Sequence, residues 1–197
     1  MSRAAQWGVV AGVLALLAGG TALGARMGGA PAPVRVGARA PAFRAATLDG
    51  TARIKTLDDY RGQVVLINLW ATWCGPCVVE MPSIQRLYDR FRDAGLKVVA
   101  VAVDDPGYEQ RILDFVRERG LTFEILHEGT GRIEATFQTQ GIPATFLIGR
   151  DGRIRKLSLG AADWDSPANR AVVAQLLGVD AAGGAATPAV PGPRAAP

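Results

Sequence analysis

Cysteine and histidine are nearly missing from this chain: 197 residues hold two cysteines, Cys74 and Cys77, and one histidine, His127. Those three side chains cannot complete the four-ligand shell of a structural zinc site. Covalent haem attachment needs a histidine directly after a Cys-x-x-Cys pair, and Val78 stands there. No metal and no cofactor are therefore expected. A surplus of charge is also missing from the body of the chain. Residues 41–179 carry 17 Lys+Arg and 17 Asp+Glu, so the net charge of +4 lies in the flanks, in Arg3, Arg26, Arg35, Arg39 and Arg194 against Asp180. That leaves no basic stripe with interleaved aromatics, and nucleic acid is not expected as a partner.

Charge is absent altogether between Arg3 and Arg26, a run of 22 uncharged residues. As a helix it would be long enough to cross a hydrocarbon core of roughly 30 Å. Its most apolar part, residues 9–17, also has the length of the apolar centre of a secretory signal, and Ala22-Leu23-Gly24 offers a small-x-small cleavage site. Residues 1–26 are read as a signal-anchor or a signal peptide, and both readings send the rest of the chain across the membrane. The flanking charges do not orient the run, because Arg3 is opposed by Arg26, Arg35 and Arg39. Residues 27–40 are rich in Gly, Ala and Pro and read as a flexible linker. Residues 179–197 hold too few large apolar groups to fold, so a disordered Ala/Pro/Gly tail is expected there. The globular unit is thus 41–178.

Within it, Asp49-Gly50 between two short extended segments predicts a hairpin over residues 43–57. Residues 63–70 and 96–103 are near-continuous apolar runs of strand length, as expected for strands buried on both faces. Val78, Met81, Ile84, Leu87, Tyr88 and Phe91 recur at helical spacing after the cysteines, and residues 107–119 give a second helix. Short strands come next at 123–126 and 144–148, with a helical turn at 132–137 between them. Asp151-Gly152 turns the chain into a strand at 153–159. Ser166-Pro167 opens a last helix to residue 177, serine as N-cap and proline in the first turn. Strands alternating with helices describe an α/β sheet covered on both faces.

On that map, Cys74 falls where a helix begins. Unpaired N–H groups and the helix dipole favour negative charge there, which lowers the thiol pKa and makes Cys74 the better nucleophile. Cys77 lies one turn further on the same face, inside the helix and less accessible, placed to resolve a mixed disulfide formed on Cys74. Gly75 and Pro76 shape the turn between them. A disulfide closing so small a loop would stabilise the fold little, which argues for redox use of the pair. A thiol peroxidase of the peroxiredoxin kind has threonine three residues before its cysteine, whereas Ala71 stands there.

Trp73-Cys74-Gly75-Pro76-Cys77 resembles the active-site sequence of the thioredoxin superfamily. The longer run from Trp70 to Pro82 is similar to the membrane-anchored TlpA/ResA branch of extracytoplasmic thiol–disulfide oxidoreductases, with kinship to the cytochrome-c-maturation thioredoxins. The likeness extends from Ala40-Pro41 through Asp59-Tyr60-Arg61-Gly62 to Gly141-Ile142-Pro143-Ala144-Thr145-Phe146. It implies a thioredoxin-like fold: a mixed central sheet with helices on both faces, an N-terminal β-hairpin extension and a central αβ insertion. It implies that Pro143 is the family's cis-proline and that Ile142 and Trp73 contact the substrate. Asn68 stands where thioredoxins carry a buried aspartate and cannot exchange a proton. Glu80 matches the branch's glutamate; partly desolvated, its pKa would rise and suit it to take the Cys77 proton.

The function so implied is reduction of disulfides in protein clients, apocytochrome c or copper-site assembly proteins, at the periplasmic face of a bacterial inner membrane. A reductant in an oxidising compartment must be recharged, which implies a membrane electron donor of the DsbD or CcdA type. Two alternatives stay open: a disulfide oxidant, and a copper chaperone using the same two thiolates, for which Met81 is the only local third ligand. Other residues receive plainer expectations. Trp70 belongs to the core, Trp73 to the rim of the site, and Phe43 and Tyr60 to hairpin packing. His127 is expected at the surface, and Asp104-Asp105 as a solvated strand end.

Overall fold

The computed structural model describes residues 32–183 together with Gly12. Residues 1–26, read above as a signal-anchor or signal peptide, Gly12 apart, the first part of the expected linker, 27–31, and the tail from residue 184 onward lie outside the described residues. Among the described residues, no helix is long and apolar enough to cross a membrane.

Seven strands form one sheet: β1 (Arg44–Thr47), β2 (Ile54–Thr56), β3 (Val64–Trp70), β4 (Leu96–Ala102), β5 (Glu124–His127), β6 (Ala144–Ile148) and β7 (Ile154–Leu159). Their order across the sheet is β2-β1-β5-β4-β3-β6-β7. Among the described residues, four α-helices accompany the sheet: α1 (Gly75–Phe91), α2 (Glu109–Glu118), α3 (Arg132–Thr136) and α4 (Pro167–Leu177). β3 sits at the centre of the apolar layers, and all seven of its residues are buried. It pairs parallel with β4 and antiparallel with β6, so Asn68 faces Ala100 on one side and Thr145 on the other.

Alternation along β3 divides the core. Leu66 and Trp70 join Met81, Ile84, Leu87 and Phe91 of α1, Ile112 of α2, and Val173 and Leu177 of α4. Val65, Ile67 and Leu69 point the other way, toward Phe43, Tyr60, Ile133, Phe137 and Phe146. Helices thus cover both faces, as expected, but the second face is closed by the single short α3 and by the hairpin region. Phe43 stacks on Tyr60 with ring centroids 6.4 Å apart, so both are packing residues.

The hairpin pairs Arg44 with Thr56 and Ala46 with Ile54, and β1 then adds antiparallel to β5 at Ala46–His127. Its connection is longer than a two-residue turn and is tied by Asp49, which accepts from Thr51 N at 3.0 Å and Thr47 Oγ1 at 2.7 Å. The expected central αβ unit is α2 followed by β5. At α4, Ser166 accepts from Asn169 N at 3.4 Å and Gly178 closes the helix with φ +77°, a left-handed turn open to glycine at little cost.

The linker expectation gives way over its later part. Val34 N donates to Gln138 Oε1 at 3.3 Å, Gly37 N to Ile154 O at 2.8 Å, and Ala40 N to Gly152 O at 2.9 Å. Residues 37–40 therefore cover the start of the edge strand β7, satisfying backbone groups that would otherwise face solvent. Small-residue composition suggested flexibility there because it carries no sign of the distant strand that pairs with it.

Candidate active site

β3 ends at Trp70 and α1 begins at Gly75 with Cys74 as its N-cap. Cys74 is extended, with φ −84° and ψ 100°, and its Sγ accepts from Cys77 N at 3.2 Å. Sulfur here takes the part that a serine or aspartate oxygen plays at most helix starts. Pro76 occupies the first turn, where its missing N–H costs nothing. A thiolate at residue 74 would meet the free N–H groups and the positive end of the helix dipole, the setting that activates cysteine.

Cys74 and Cys77 are joined by a disulfide with Cα atoms 5.2 Å apart, so the structure is that of the oxidised protein. Cys77 is 1% exposed and Cys74 only 5%; the expected asymmetry is present in direction but small in this state. Trp73, beside them, is 64% exposed and forms the rim. Ile142 is half-buried, with its carbonyl oxygen 3.8 Å from Cys74 Sγ, and the Ile142–Pro143 peptide is cis. Chain segments more than sixty residues apart thus meet at the sulfur.

Glu80, three residues after Cys77 and on the same side of α1, is 2% exposed. Trp164 Nε1 donates to its Oε1 at 2.6 Å and Ala162 N to the same oxygen at 3.3 Å, while Asn68 Nδ2 donates to Oε2 at 3.3 Å. Thr145 Oγ1 lies 3.5 Å away and also accepts from Asn68 Nδ2 at 2.8 Å. Burial pushes the carboxyl up to about 7, while the hydrogen bonds from Trp164, Ala162, Asn68 and Thr145 pull it the other way. Desolvation wins because, among the described residues, no cation joins those dipolar donors at the carboxyl. Trp164→Phe removes the shortest donor, so the Glu80 carboxyl should titrate still higher, an upward shift that carbon-detected NMR or difference infrared spectroscopy would register.

Trp164 is the partner that sequence reasoning missed. It is fully buried in a loop held to α1 by Ser83, whose Oγ accepts from Trp164 N at 3.0 Å and donates to Glu80 O at 2.8 Å. The only sign in the sequence was a tryptophan just before the Ser166-Pro167 cap, and nothing there names Glu80 as its target.

Two expectations are overturned. Of the Asp104-Asp105 pair, Asp105 is exposed as expected, but Asp104 is not solvated: it is 1% exposed and accepts from Thr72 N and Thr72 Oγ1. His127 is not a surface residue; it is 9% exposed, with Nε2 donating to Asp104 O at 2.8 Å and Nδ1 3.4 Å from Glu109 Oε1. Both sit at the ends of parallel strands, where neighbouring loops cover them, and local polarity gives no sign of that cover. Met81, the third-ligand candidate for copper, is buried in the core cluster that also holds both cysteines.

Residues 36–157 match the AhpC/TSA family. Among similar proteins, the thiol-disulfide oxidoreductase ResA of Oceanobacillus iheyensis is 35% identical over 133 residues, covering 66% of this chain and 68% of that protein. ResA of Geobacillus thermodenitrificans is 36% identical over 127 residues, covering 64% and 71%. Among solved structures, a Chlorobium tepidum chain described as a DsbE-type thiol:disulfide interchange protein aligns with a TM-score of 0.65 at 26% identity, over 74% of this chain and 99% of that one. StoA of Bacillus subtilis aligns at 0.52 and 26% identity, over 63% and 91%. The family name alone does not choose between peroxidase and exchange chemistry; the disulfide partner one helical turn from Cys74, and Ala71 in place of a threonine, favour exchange. With a family match over most of the described residues and relatives at 35% identity across the dithiol, the chain belongs to the AhpC/TSA family, within which it is a thioredoxin-fold thiol–disulfide oxidoreductase.

Proposed function

We propose that the chain reduces disulfides in protein clients at the periplasmic face of a bacterial inner membrane, held there by residues 1–26 or released if that segment is cleaved. The observation that carries the exchange chemistry is the buried Glu80 carboxyl one turn beyond Cys77, pushed up to about 7 by burial, which can take that thiol's proton when the dithiol acts as reductant. In the reduced protein, the Cys74 thiolate attacks one sulfur of a client disulfide, forming a mixed disulfide and releasing a client thiolate, which takes a proton. Cys77 then gives its proton to the Glu80 carboxylate and attacks Cys74, which forms the internal disulfide and expels the second client thiolate. Two electrons pass from enzyme to client. A base near Cys77 is needed in this direction because a thiol inside an apolar helix does not ionise unaided.

Client choice depends on the same edge. An extended client segment can lie along the backbone at Ile142 while Trp73 covers one flank, a short strand addition that reads main chain rather than a particular sequence. Apocytochrome c, whose haem-attachment cysteines must be reduced, and copper-site assembly proteins are clients of the right chemistry. A membrane electron donor of the DsbD or CcdA type returns the pair to the dithiol, since the compartment itself supplies no reductant.

The test is a Cys77→Ala chain expressed with its native N-terminus. Resolution is blocked, so a client should remain bound to Cys74 through a disulfide. Gel mobility with and without reductant, followed by mass spectrometry, identifies it. Recovery of cysteine-bearing secreted or membrane-attached proteins supports the reading; a trap holding only cytosolic proteins rejects it.

A further inference from the structure

The connection between β3 and α1, residues 71–74, is gripped from one side by a group the exchange chemistry does not use. Asp104, just past the end of β4, turns both carboxyl oxygens toward Thr72, two residues before the nucleophile. Thr72 N donates to Oδ1 at 3.2 Å and to Oδ2 at 3.1 Å, and Thr72 Oγ1 donates to Oδ1 at 2.5 Å. The neighbouring backbone bonds, Val103 N to Trp70 O at 2.8 Å and Cys74 N to Ala71 O at 3.2 Å, fix the two ends of the same turn.

Asp104 is itself braced from behind. His127 Nε2 donates to its backbone carbonyl at 2.8 Å, and Glu128 N bonds Ala102 O at 2.9 Å. Gly129 comes so close that a Cβ there would stand 2.4 Å from Asp104 O and 3.0 Å from His127 Nε2. Glu109, at the start of α2, faces His127 Nδ1 from outside. The backbone of Asp104 is therefore held by His127 at the end of β5 and crowded by Gly129 just beyond it, and from that fixed place its side chain reaches Thr72.

We propose that Asp104 is a positioning residue for Cys74: by holding Thr72 through its N–H and hydroxyl, it sets the turn that keeps the Cys74 sulfur over the free N–H groups of α1. The influence of a helix terminus falls away within one turn. Misplacing a reacting atom by about 1 Å can cost on the order of a hundredfold in rate. A carboxylate suits this task because it offers two acceptors to one residue, and hydrogen bonds to an ionised acceptor are about twice as strong as neutral ones. This rests on Cys74 being the nucleophile, and on nothing about the client.

Thr72→Val keeps the shape and removes the hydroxyl donor without changing charge; Thr72→Ser restores that donor; Asp104→Asn replaces one acceptor with an amide that faces the Thr72 N–H donor to donor. Each is made in the full chain, reduced, and the rate at which iodoacetamide alkylates Cys74 is followed from pH 5 to 10. Thr72→Val should lower the neutral-pH rate by about fivefold, the equivalent of one hydrogen bond, and raise the midpoint of the profile. Asp104→Asn should lower it by about tenfold or more. Thr72→Ser should return the profile toward that of the unmodified chain. A merely structural contact would lower the melting temperature and leave the midpoint alone.

The proposal is overturned if Thr72→Val, with an unchanged circular dichroism spectrum, keeps the midpoint of the unmodified chain. It is overturned equally if Thr72→Ser is as impaired as Thr72→Val. Should Asp104→Asn fail to fold, the threonine pair decides alone. An unmodified chain whose Cys74 reacts no faster than a free peptide thiol would strike the exchange reading itself, and the positioning claim with it.

Discussion

Cys74→Ser should abolish disulfide reduction, lowering turnover of a protein disulfide at neutral pH by at least about three orders of magnitude. A serine hydroxyl at a helix start remains un-ionised near neutrality and cannot form a bond to sulfur that a second thiol would later exchange. The remaining thiol is not placed to take over, because Cys77 lies within the first turn of α1 and not at the N-cap position, where free N–H groups and the helix dipole favour a thiolate. Cys77→Ala, by contrast, leaves the attack intact and stops after one event. The two variants are thus distinguishable in kind: one shows no burst of client thiol, the other a single stoichiometric burst. Insulin or a cystine-bridged peptide, read by release of thiol, suffices for the measurement. If Cys74→Ser kept a tenth of the native rate, or produced a burst, the assignment of nucleophile and resolver would be wrong.

Glu80→Gln should have two linked effects, one on rate and one on stability. In the native chain the carboxyl is pushed up to about 7, so its base form gathers as pH rises through neutrality. Resolution, which hands the Cys77 proton to that base, should accelerate over the same range. Glutamine cannot accept the proton, so the step should slow by roughly tenfold to a hundredfold and lose its inflection near pH 7, within the span usual for loss of a general base. The amide fits the site sterically and can be bonded there: Asn68 Oδ1 is buried without a partner, and a half-turn of that side chain would present it to the new donor.

The effect on stability runs in the opposite sense. The folded chain holds a proton on Glu80 between the unfolded value of 4.5 and about 7, where the unfolded chain has already released it. Native stability therefore falls as pH rises through that window, by about 3 kcal/mol in all, the free energy of a shift of that size. Glutamine is free of this cost. Equilibrium denaturation should thus find Glu80→Gln nearly equal to the native chain at pH 4 and more stable by up to about 3 kcal/mol at pH 8. Equal stability differences at both pH values would mean that Glu80 is not desolvated in solution. A group that weakens the fold at the working pH and is held in place by four donors is typical of a site built for chemistry.

Much of this was legible in the chain because it depends on neighbours in sequence. Continuous apolar runs announced β3 and β4, since strands buried on both faces need no polar alternation. Spacing of three placed Cys77 and Glu80 in successive turns of the helix that Cys74 begins, and the Ser166-Pro167 start of α4 came from capping alone. The expectation of a cis bond before Pro143 rested on resemblance, not on any local rule, and the structure has it.

Local order along the chain was thus enough to establish the pair of thiols, the helix end that one of them caps, and the succession of strands and helices around it. These are effects that act over one turn of helix or one run of strand. Which polar groups are buried was settled in three dimensions: Asp104 grips Thr72, His127 stands behind Asp104, Trp164 closes over Glu80, and residues 37–40 cover the edge of β7. Burial depends on segments tens of residues apart arriving at one place. A side chain's own identity cannot tell whether water or another part of the chain will meet it there.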